Sequence, residues 1–296
     1  MSKTQKVLLA CFGAYIGIFV LLVLIYGFSQ HKNNEFQIQN EFKLVNWVSL
    51  GVFSINRAVL YLFISALLTI ITMVWIAGRM HTRPNKIQTA VEVLFSLMRD
   101  NITRGNMTDS MAARWFPFIG TLFLFIWFCN LIGYLPLPTN SEEKFNLFGA
   151  HIPSFALYAA TANISVPLVL ALVVFIAFIT VGIRTQGFLG YLKSLIPAGV
   201  HGPMLLLIFP IEVISTLMRL LSLTIRLWAN IFAGHIILLF LAGGLAVILG
   251  LQALGWFALP AGILIYLFEL GLVATLQAFI FATLAAIYVA GAATHH

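Results

Sequence analysis

Charged side chains are scarce in this 296-residue sequence: Asp, Glu, Lys and Arg make up 8% of it, whereas 61% of its residues are hydrophobic. Soluble domains carry about 25% charged residues, so the composition excludes an ordinary soluble domain. Strand signals are absent, and the apolar runs are too long for the strands of a membrane barrel. Since α-helices are then the remaining way to satisfy the backbone in lipid, the sequence predicts an all-α polytopic membrane protein.

Several chemical motifs are also missing. The only cysteines, Cys11 and Cys129, both lie in apolar runs, which argues against a disulfide and supports no metal site. No GxxxxGK[ST] or HExxH motif occurs, so we expect no nucleotide chemistry, no cofactor and no intramembrane hydrolase activity in this chain. The net charge of +7 resides at the ends of apolar segments, as the positive-inside rule expects, and does not indicate nucleic-acid binding.

The apolar runs predict about six membrane helices with the N-terminus inside. The predicted spans are residues 7–28, 58–77, 115–135 and 158–183, followed by two longer helices within residues 201–290. Residues 86–104 differ from these, because apolar side chains alternate with a polar face that includes Glu92 and Arg99. That pattern predicts an amphipathic helix in the membrane surface, with a helix in a water-exposed loop as the alternative.

The chain is organised around residues 221–238, LSLTIRLWANIFAGHIIL, which place Arg226 inside an apolar run. An arginine at the centre of a membrane helix costs about 2.5–3.5 kcal/mol on insertion scales, and it keeps its proton there. Polar residues recur around it at helical spacing and form one stripe. The stripe comprises Glu212, Ser215, Arg219, Ser222, Arg226 and Asn230. His235 lies about half a turn around the helix from Arg226 and is expected to point away from the stripe.

Residues 201–249 contain no strong turn signal, although as one helix they would exceed about 70 Å, against a hydrocarbon core of about 30 Å. They form either a tight hairpin or one steeply tilted helix, and the stripe favours one helix at least over residues 212–243. A second long helix is predicted over residues 260–290, with Pro260 in its first turn. The two would make an antiparallel hairpin.

The motifs SLTIRLWANIFAGH and TLQAFIFATLAAIY together resemble subunit a of the F-type ATP synthase. Three further segments, NKIQTAVEVL, FLFIWFCNLIGYLPL and TANISVPLVLAL, extend the resemblance over about residues 54–288. It implies a non-catalytic, proton-translocating stator subunit whose last two helices form the tilted hairpin against a ring of c subunits. The implied partners are the c ring, the peripheral-stalk b subunits, other ATP synthase subunits and lipid, in a multi-pass bacterial inner-membrane protein.

The resemblance also implies roles for individual residues. Arg226 falls on the family's essential arginine, which meets the ionised carboxylate of each passing c subunit and blocks proton leakage. Asn230 and Gln277 fall near it. Glu212, Ser215, Arg219 and Ser222 fall where polar residues border the inward half-channel or the ring. His235 falls on a position that carries an acid or a histidine, and Glu269 is then the acid of the last helix.

Other polar residues keep two interpretations. Asn163 and Gln277 hold channel water or bond neighbouring helices, whereas Asn130 is interpreted as structural. Glu269 precedes Gln277 by eight residues, and the family spacing is seven. A π-bulge near Gly271 would restore the register.

The resemblance divides the chain into an added N-terminal helix and outer loop, residues 1–43, and a subunit a core, residues 44–296. Two alternatives to a proton-translocating subunit remain from the sequence. A sodium-translocating version would use the same architecture, because the ring largely sets the ion. A structural membrane scaffold is the alternative from another class, although it leaves the polar stripe without a purpose.

Overall fold

The computed structural model describes residues 13–18, 20–21, 46–50, 53–78, 85–147, 150–196, 204–241 and 252–293. The chain forms two compact units. One comprises Met1–Leu44 with Ala233–Leu272, and the other comprises Val45–Phe232 with Val273–His296. The predicted division into an added segment, residues 1–43, and a family core, residues 44–296, rests on the family resemblance. The compact units do not test it, and it stays a prediction.

Helices dominate the described residues and confirm the all-α polytopic class. The α-helices are α1 (Arg57–Gly78), α2 (Lys86–Ser96), α3 (Asp109–Gly133), α4 (Ser165–Gln186), α5 (Phe188–Ser194), α6 (Leu205–Leu239), α7 (Gln252–Phe268) and α8 (Ala274–Ala293). Five helices in this part of the chain are long and apolar enough to cross a membrane, with α7 and α8 contributing to one continuous span. Of the predicted N-terminal span, residues 13–18 and 20–21 are helical, and the rest lies outside the described residues.

Two predicted helix starts were wrong. Helix α3 begins at Asp109, six residues before the predicted start, because its first turns are polar and hydropathy alone does not register them. An acidic first turn suits a helix N-terminus. Helix α4 begins at Ser165 instead of residue 158, after a 3₁₀ turn at Ala160–Ala162, and Pro167 lies in its first turn.

The expectation that strand signals are absent also needs correction. Two antiparallel hairpins precede α1 and α4: β1 (Asn46–Leu50) with β2 (Phe53–Asn56), and β3 (Leu137–Leu147) with β4 (Ala150–Ala156). Both hairpins lie outside the predicted membrane spans. Their backbone groups form hydrogen bonds between two strands instead of within a helix. They leave the membrane-spanning architecture helical.

Helix α6 runs without interruption through 35 residues. The prediction of one continuous helix is therefore confirmed over residues 212–239, and residues 242–250 lie outside the described part. At 1.5 Å per residue such a helix is about 50 Å long, so it must tilt if it lies in a core of about 30 Å. The placement of Pro260 was wrong, because it lies inside α7, which begins at Gln252. Membrane helices tolerate interior proline.

In the second unit α8 packs against α3 and α4. Its buried face consists mainly of alanines, such as Ala278, Ala282 and Ala285, which are fully buried. Small side chains allow helices to approach closely where lipid supplies no hydrophobic driving force. This packing holds the last helix of the chain tightly in the core of the unit.

The predicted amphipathic helix is present as α2 continued by a π-helical segment, Leu97–Arg104. Met98 and Ile102 are fully buried, while Arg99 and Asp100 are exposed. The Thr103 hydroxyl donates to the Met98 carbonyl over 2.7 Å, a separation of five residues that matches the π-helical turn. The segment thus has one apolar and one charged face.

Candidate functional site

Helix α6 has one exposed polar face. Of the six residues in the predicted stripe, five are exposed and Glu212 is half-buried. The exposed five are Ser215, Arg219, Ser222, Arg226 and Asn230. About a quarter turn around the helix from the stripe, Leu223, Leu227 and Ile231 are buried. The polar positions therefore share the side of the helix that its own unit leaves open.

Arg226 carries the permanent charge of this face. Two ion pairs occur in the described part of the chain, and both involve Arg104. No carboxylate of the described residues thus lies within ion-pair distance of the Arg226 guanidinium. A guanidinium remains protonated and offers five N–H donors, so this side chain suits an acceptor outside the chain.

A hydrogen bond fixes how α6 is rotated within its unit. The Trp228 indole donates its Nε1–H to the Ala162 carbonyl over 3.0 Å. Its ring also stacks on Phe232, with centroids 5.3 Å apart. Because Trp228 follows Arg226 by two residues, about 200° around the helix, anchoring it inward keeps Arg226 outward.

A cavity of about 250 Å³ lies where α4, α5, α6 and α8 meet. Glu212, Arg219, Tyr191 and Tyr288 are among the residues that line it. The Arg219 guanidinium lies over the Tyr288 ring, 5.8 Å from its centroid. Burial raises the pKa of the Tyr191 phenol, and the charge of Arg219 acts in the opposite direction. The cavity thus combines a carboxylate, a cation and two phenols.

In the other unit, His235 and Glu269 are both buried, with exposed fractions of 1% and 8%. The Glu269 carboxylate lies against the backbone of α6 at Gly234, the residue before His235. A Cβ placed on Gly234 would lie 2.5 Å from Oε2 of Glu269 and 2.6 Å from its Cδ. Only glycine leaves room for that approach, so the last helix carries its acid to the position on α6 that precedes the imidazole.

The π-bulge on which the register depended is present. A π-helical segment spans Glu269–Val273 and so includes Gly271. Its i→i+5 turn takes up the extra residue between Glu269 and Gln277, so eight residues turn the helix about as far as seven would in a regular α-helix. Both side chains are buried.

Asn130 and Asn163 form hydrogen bonds that indicate structural roles. The buried Asn130 amide donates to the Ala274 carbonyl over 3.2 Å and accepts a hydrogen bond from the Thr161 hydroxyl over 2.9 Å. It joins α3 to α8, in agreement with its structural interpretation. The side-chain carbonyl oxygen of Asn163 accepts a hydrogen bond from the Ser165 backbone N–H over 3.1 Å, at the start of α4. Asn163 therefore stabilises the turn that leads into α4.

Gly234 and Tyr191 were missed by the sequence interpretation. The signal for Gly234 was available, because a small residue beside a polar one in a membrane helix often marks a close helix approach. Tyr191 offered none, since it belongs to the short helix α5 after Gly187, whose φ of 74° allows the chain to turn back.

Comparisons with known proteins show the family of this chain. The ATP synthase A chain family matches residues 59–290. An ATP synthase subunit a from Pelagibacter ubique is 31% identical over 265 residues, which cover 89% of this chain and 97% of that protein. Those from Rubrobacter xylanophilus and Rhizobium rhizogenes are 35% and 34% identical, each over 80% of this chain and over 83% and 87% of their own lengths.

The match includes both halves of the motif pair, α6 and α8, and all five spanning helices, except for the first two residues of α1 and the last three of α8. The bacterial relatives and the apolar helices together indicate a multi-pass protein of the bacterial inner membrane. The chain belongs to the ATP synthase A chain family, whose members are the non-catalytic, proton-translocating subunits of the ATP synthase membrane sector.

Proposed function

We propose that this chain couples proton flow to rotation of a c-subunit ring through two offset half-channels and one fixed cation, Arg226. The half-channels open to opposite sides of the membrane and do not connect. Protons pass between them only on the ring carboxylates, which Arg226 meets in their ionised form. The other partners are the b subunits of the peripheral stalk and the remaining subunits of the complex.

The observation that carries this proposal is the position of Arg226: it is exposed on α6 and has no ion-pair partner among the described residues. A membrane arginine left without a counter-ion is costly, and such residues almost always face a partner or a water-filled path. A carboxylate on a neighbouring subunit supplies the opposite charge. Since the ring carries one carboxylate after another past the same point, the pairing is transient.

Arginine suits this task better than lysine would. A buried lysine can lose its proton and then neither attracts the carboxylate nor repels a proton. The guanidinium retains its charge at any pH that the site meets. Each proton that crosses gains about 2.3 kcal/mol per 100 mV of membrane potential, and a fixed charge prevents that energy from being lost as a leak.

The inward half-channel is assigned to the cavity that contains Glu212 and Arg219. Its polar lining and volume suit water, and water conducts protons where the side chains cannot reach one another. Ser215 and Ser222 extend the polar surface along the exposed face of α6. Glu212 then collects protons released from the ring, and Arg219 is held beside Tyr288 at the ring-facing edge.

The outward half-channel is assigned to His235 and Glu269. An imidazole and a carboxylate can each accept and release a proton, so the two side chains together can form a proton relay. The close packing of Glu269 on Gly234 supports this pairing. Gln277, Asn163 and Asn230 are assigned to the proton path as dipolar side chains that hold water.

The experiment that tests the proposal is Arg226→Ala in the assembled complex, with ATP-driven proton pumping measured in inverted membrane vesicles. We expect pumping to vanish while the complex still assembles. Passive proton conduction through vesicles stripped of the catalytic sector should rise, because the block is removed. The matched control is Arg99→Ala, which removes an exposed arginine that lies outside α6. Retained pumping in Arg226→Ala would contradict the proposal.

A further inference from the structure

A second cavity, of about 340 Å³ and with a mainly apolar lining, lies between the first turns of α3 and the last turns of α4. Arg114, Trp115 and Ser110 line it from α3, and Arg184, Thr180 and Thr185 line it from α4. Because α3 begins and α4 ends on the side that the basic residues mark as inward, the cavity lies at the inner membrane surface.

The charged side chains that line the cavity are both cationic. The cavity is lined by two arginines and by no aspartate or glutamate. Both arginines are exposed, and neither takes part in the two ion pairs that occur in the described part of the chain. The hydroxyls of Thr180 and Thr185 donate to carbonyls of their own helix, so the charged donors of the cavity are the two guanidinium groups. Guanidinium groups bind the oxygens of a phosphate well, and both line this cavity.

The surface next to the cavity is apolar. Ile176 and Val173 lie one and two turns before Thr180 on the same side of α4, and they are 55% and 43% exposed. Trp115 also lines the cavity, and aromatic side chains are enriched at membrane–water interfaces. A phosphate bound between the arginines would therefore have an apolar track leading from it towards the membrane centre.

We infer that this cavity binds the headgroup of an anionic phospholipid, with the lipid phosphate between Arg114 and Arg184 and an acyl chain along Ile176 and Val173. Basic pockets between membrane helices on the inner side suit such headgroups. A free phosphate would use the arginines and not the apolar track. The inference does not depend on the proton path, because lipid binding is measured without proton flow.

The test uses native mass spectrometry of the detergent-purified complex titrated with phosphatidylglycerol or phosphatidylcholine. The variant is Arg114→Gln with Arg184→Gln. The matched control, Arg99→Gln with Lys193→Gln, removes two exposed positive charges outside the cavity. A third sample contains inorganic phosphate in excess over the lipid. A variant with both cavity arginines changed to lysine keeps the charge if the glutamine variant fails to assemble.

We expect wild-type and control complexes to retain phosphatidylglycerol in preference to phosphatidylcholine, and the glutamine variant to bind it about tenfold more weakly or worse. The lysine variant should retain the preference for the anionic lipid. Three results would overturn the inference. They are equal lipid retention in the glutamine variant and the control, displacement of the lipid by inorganic phosphate, and a glutamine variant that loses a protein subunit while its lipid stays bound.

Discussion

Two polar regions of this chain differ in whether their ionisable side chains are exposed or buried. Arg226 is exposed on α6 and has no ion-pair partner among the described residues. His235, nine residues further along the same helix, is 1% exposed, and Glu269 is packed against the residue before it. The permanent cation is left open, whereas the groups that can exchange a proton are enclosed.

This difference follows from what each region has to do in the proposed mechanism. A charge that acts on a moving partner must stay accessible, and its counter-ion must come from outside the chain. Titratable groups that pass a proton to each other need a fixed distance, which buried packing provides. The two regions are therefore expected to respond differently to mutation.

The enclosed region can be tested with His235→Ala and Glu269→Gln, alone and together. Each single change should slow ATP-driven proton pumping by about tenfold or more and shift its pH profile, since positioned proton transfer typically contributes 10²–10⁴-fold. If the two groups act as one relay, the double variant should be little slower than the single variants.

Thr224→Val is the control for the relay, because it alters a buried polar side chain of α6 that donates only to the Leu220 carbonyl. Its pumping rate and pH profile should match those of the wild type. Independent, multiplicative effects of the His235 and Glu269 changes would separate the two residues. An unaltered pH profile in His235→Ala would make His235 a packing residue.

Gly234→Ala sharpens the same point without removing a polar group. Its new Cβ would meet Glu269 at 2.5 Å, and the carboxylate is the movable end of that contact. We expect the side chain to shift and pumping to fall several-fold, with assembly preserved. Gly78→Ala is the matched control, because nothing lies within 4 Å of a Cβ there. Equal pumping by the two variants would mean that the position of Glu269 does not matter.

Asn130→Leu should affect stability more than transport. It leaves the buried Thr161 hydroxyl without its acceptor, which costs about 1–3 kcal/mol, and it also removes the hydrogen bond to the Ala274 carbonyl. The thermal midpoint of the detergent-solubilised complex should fall, and pumping per assembled complex should stay near the wild-type rate. Thr161→Val removes only one of the two hydrogen bonds and should have the smaller effect. A large loss of pumping per complex would place Asn130 in the proton path.

Much of the architecture could be predicted from the sequence, because the lipid environment forces long apolar segments to be helical. The continuous helix α6 followed from six polar residues at helical spacing, and the π-helical segment at Glu269 followed from a spacing that was one residue too long. The first inference used periodicity, which is a local property of the chain, and the second used the spacing that the family resemblance implies.

Other features depend on contacts between distant segments. The approach of Glu269 to Gly234 joins residues 35 positions apart, and no local pattern specifies which face of α7 meets α6. The early start of α3 was missed because its first turns are helical without being apolar. Interior Pro260 was missed because a membrane helix tolerates a proline that would end a helix in water.

The central claim is that the open face of α6 meets the ring carboxylate. Single cysteines at Ser222 and Leu223 test it directly. The two residues are adjacent in sequence, but Ser222 is exposed, whereas Leu223 is buried and only 3% exposed. Each is combined with a cysteine next to the c-subunit carboxylate, and disulfide formation is measured in assembled membranes. The account predicts cross-linking from Ser222→Cys and none from Leu223→Cys. Cross-linking from Leu223→Cys alone would contradict it.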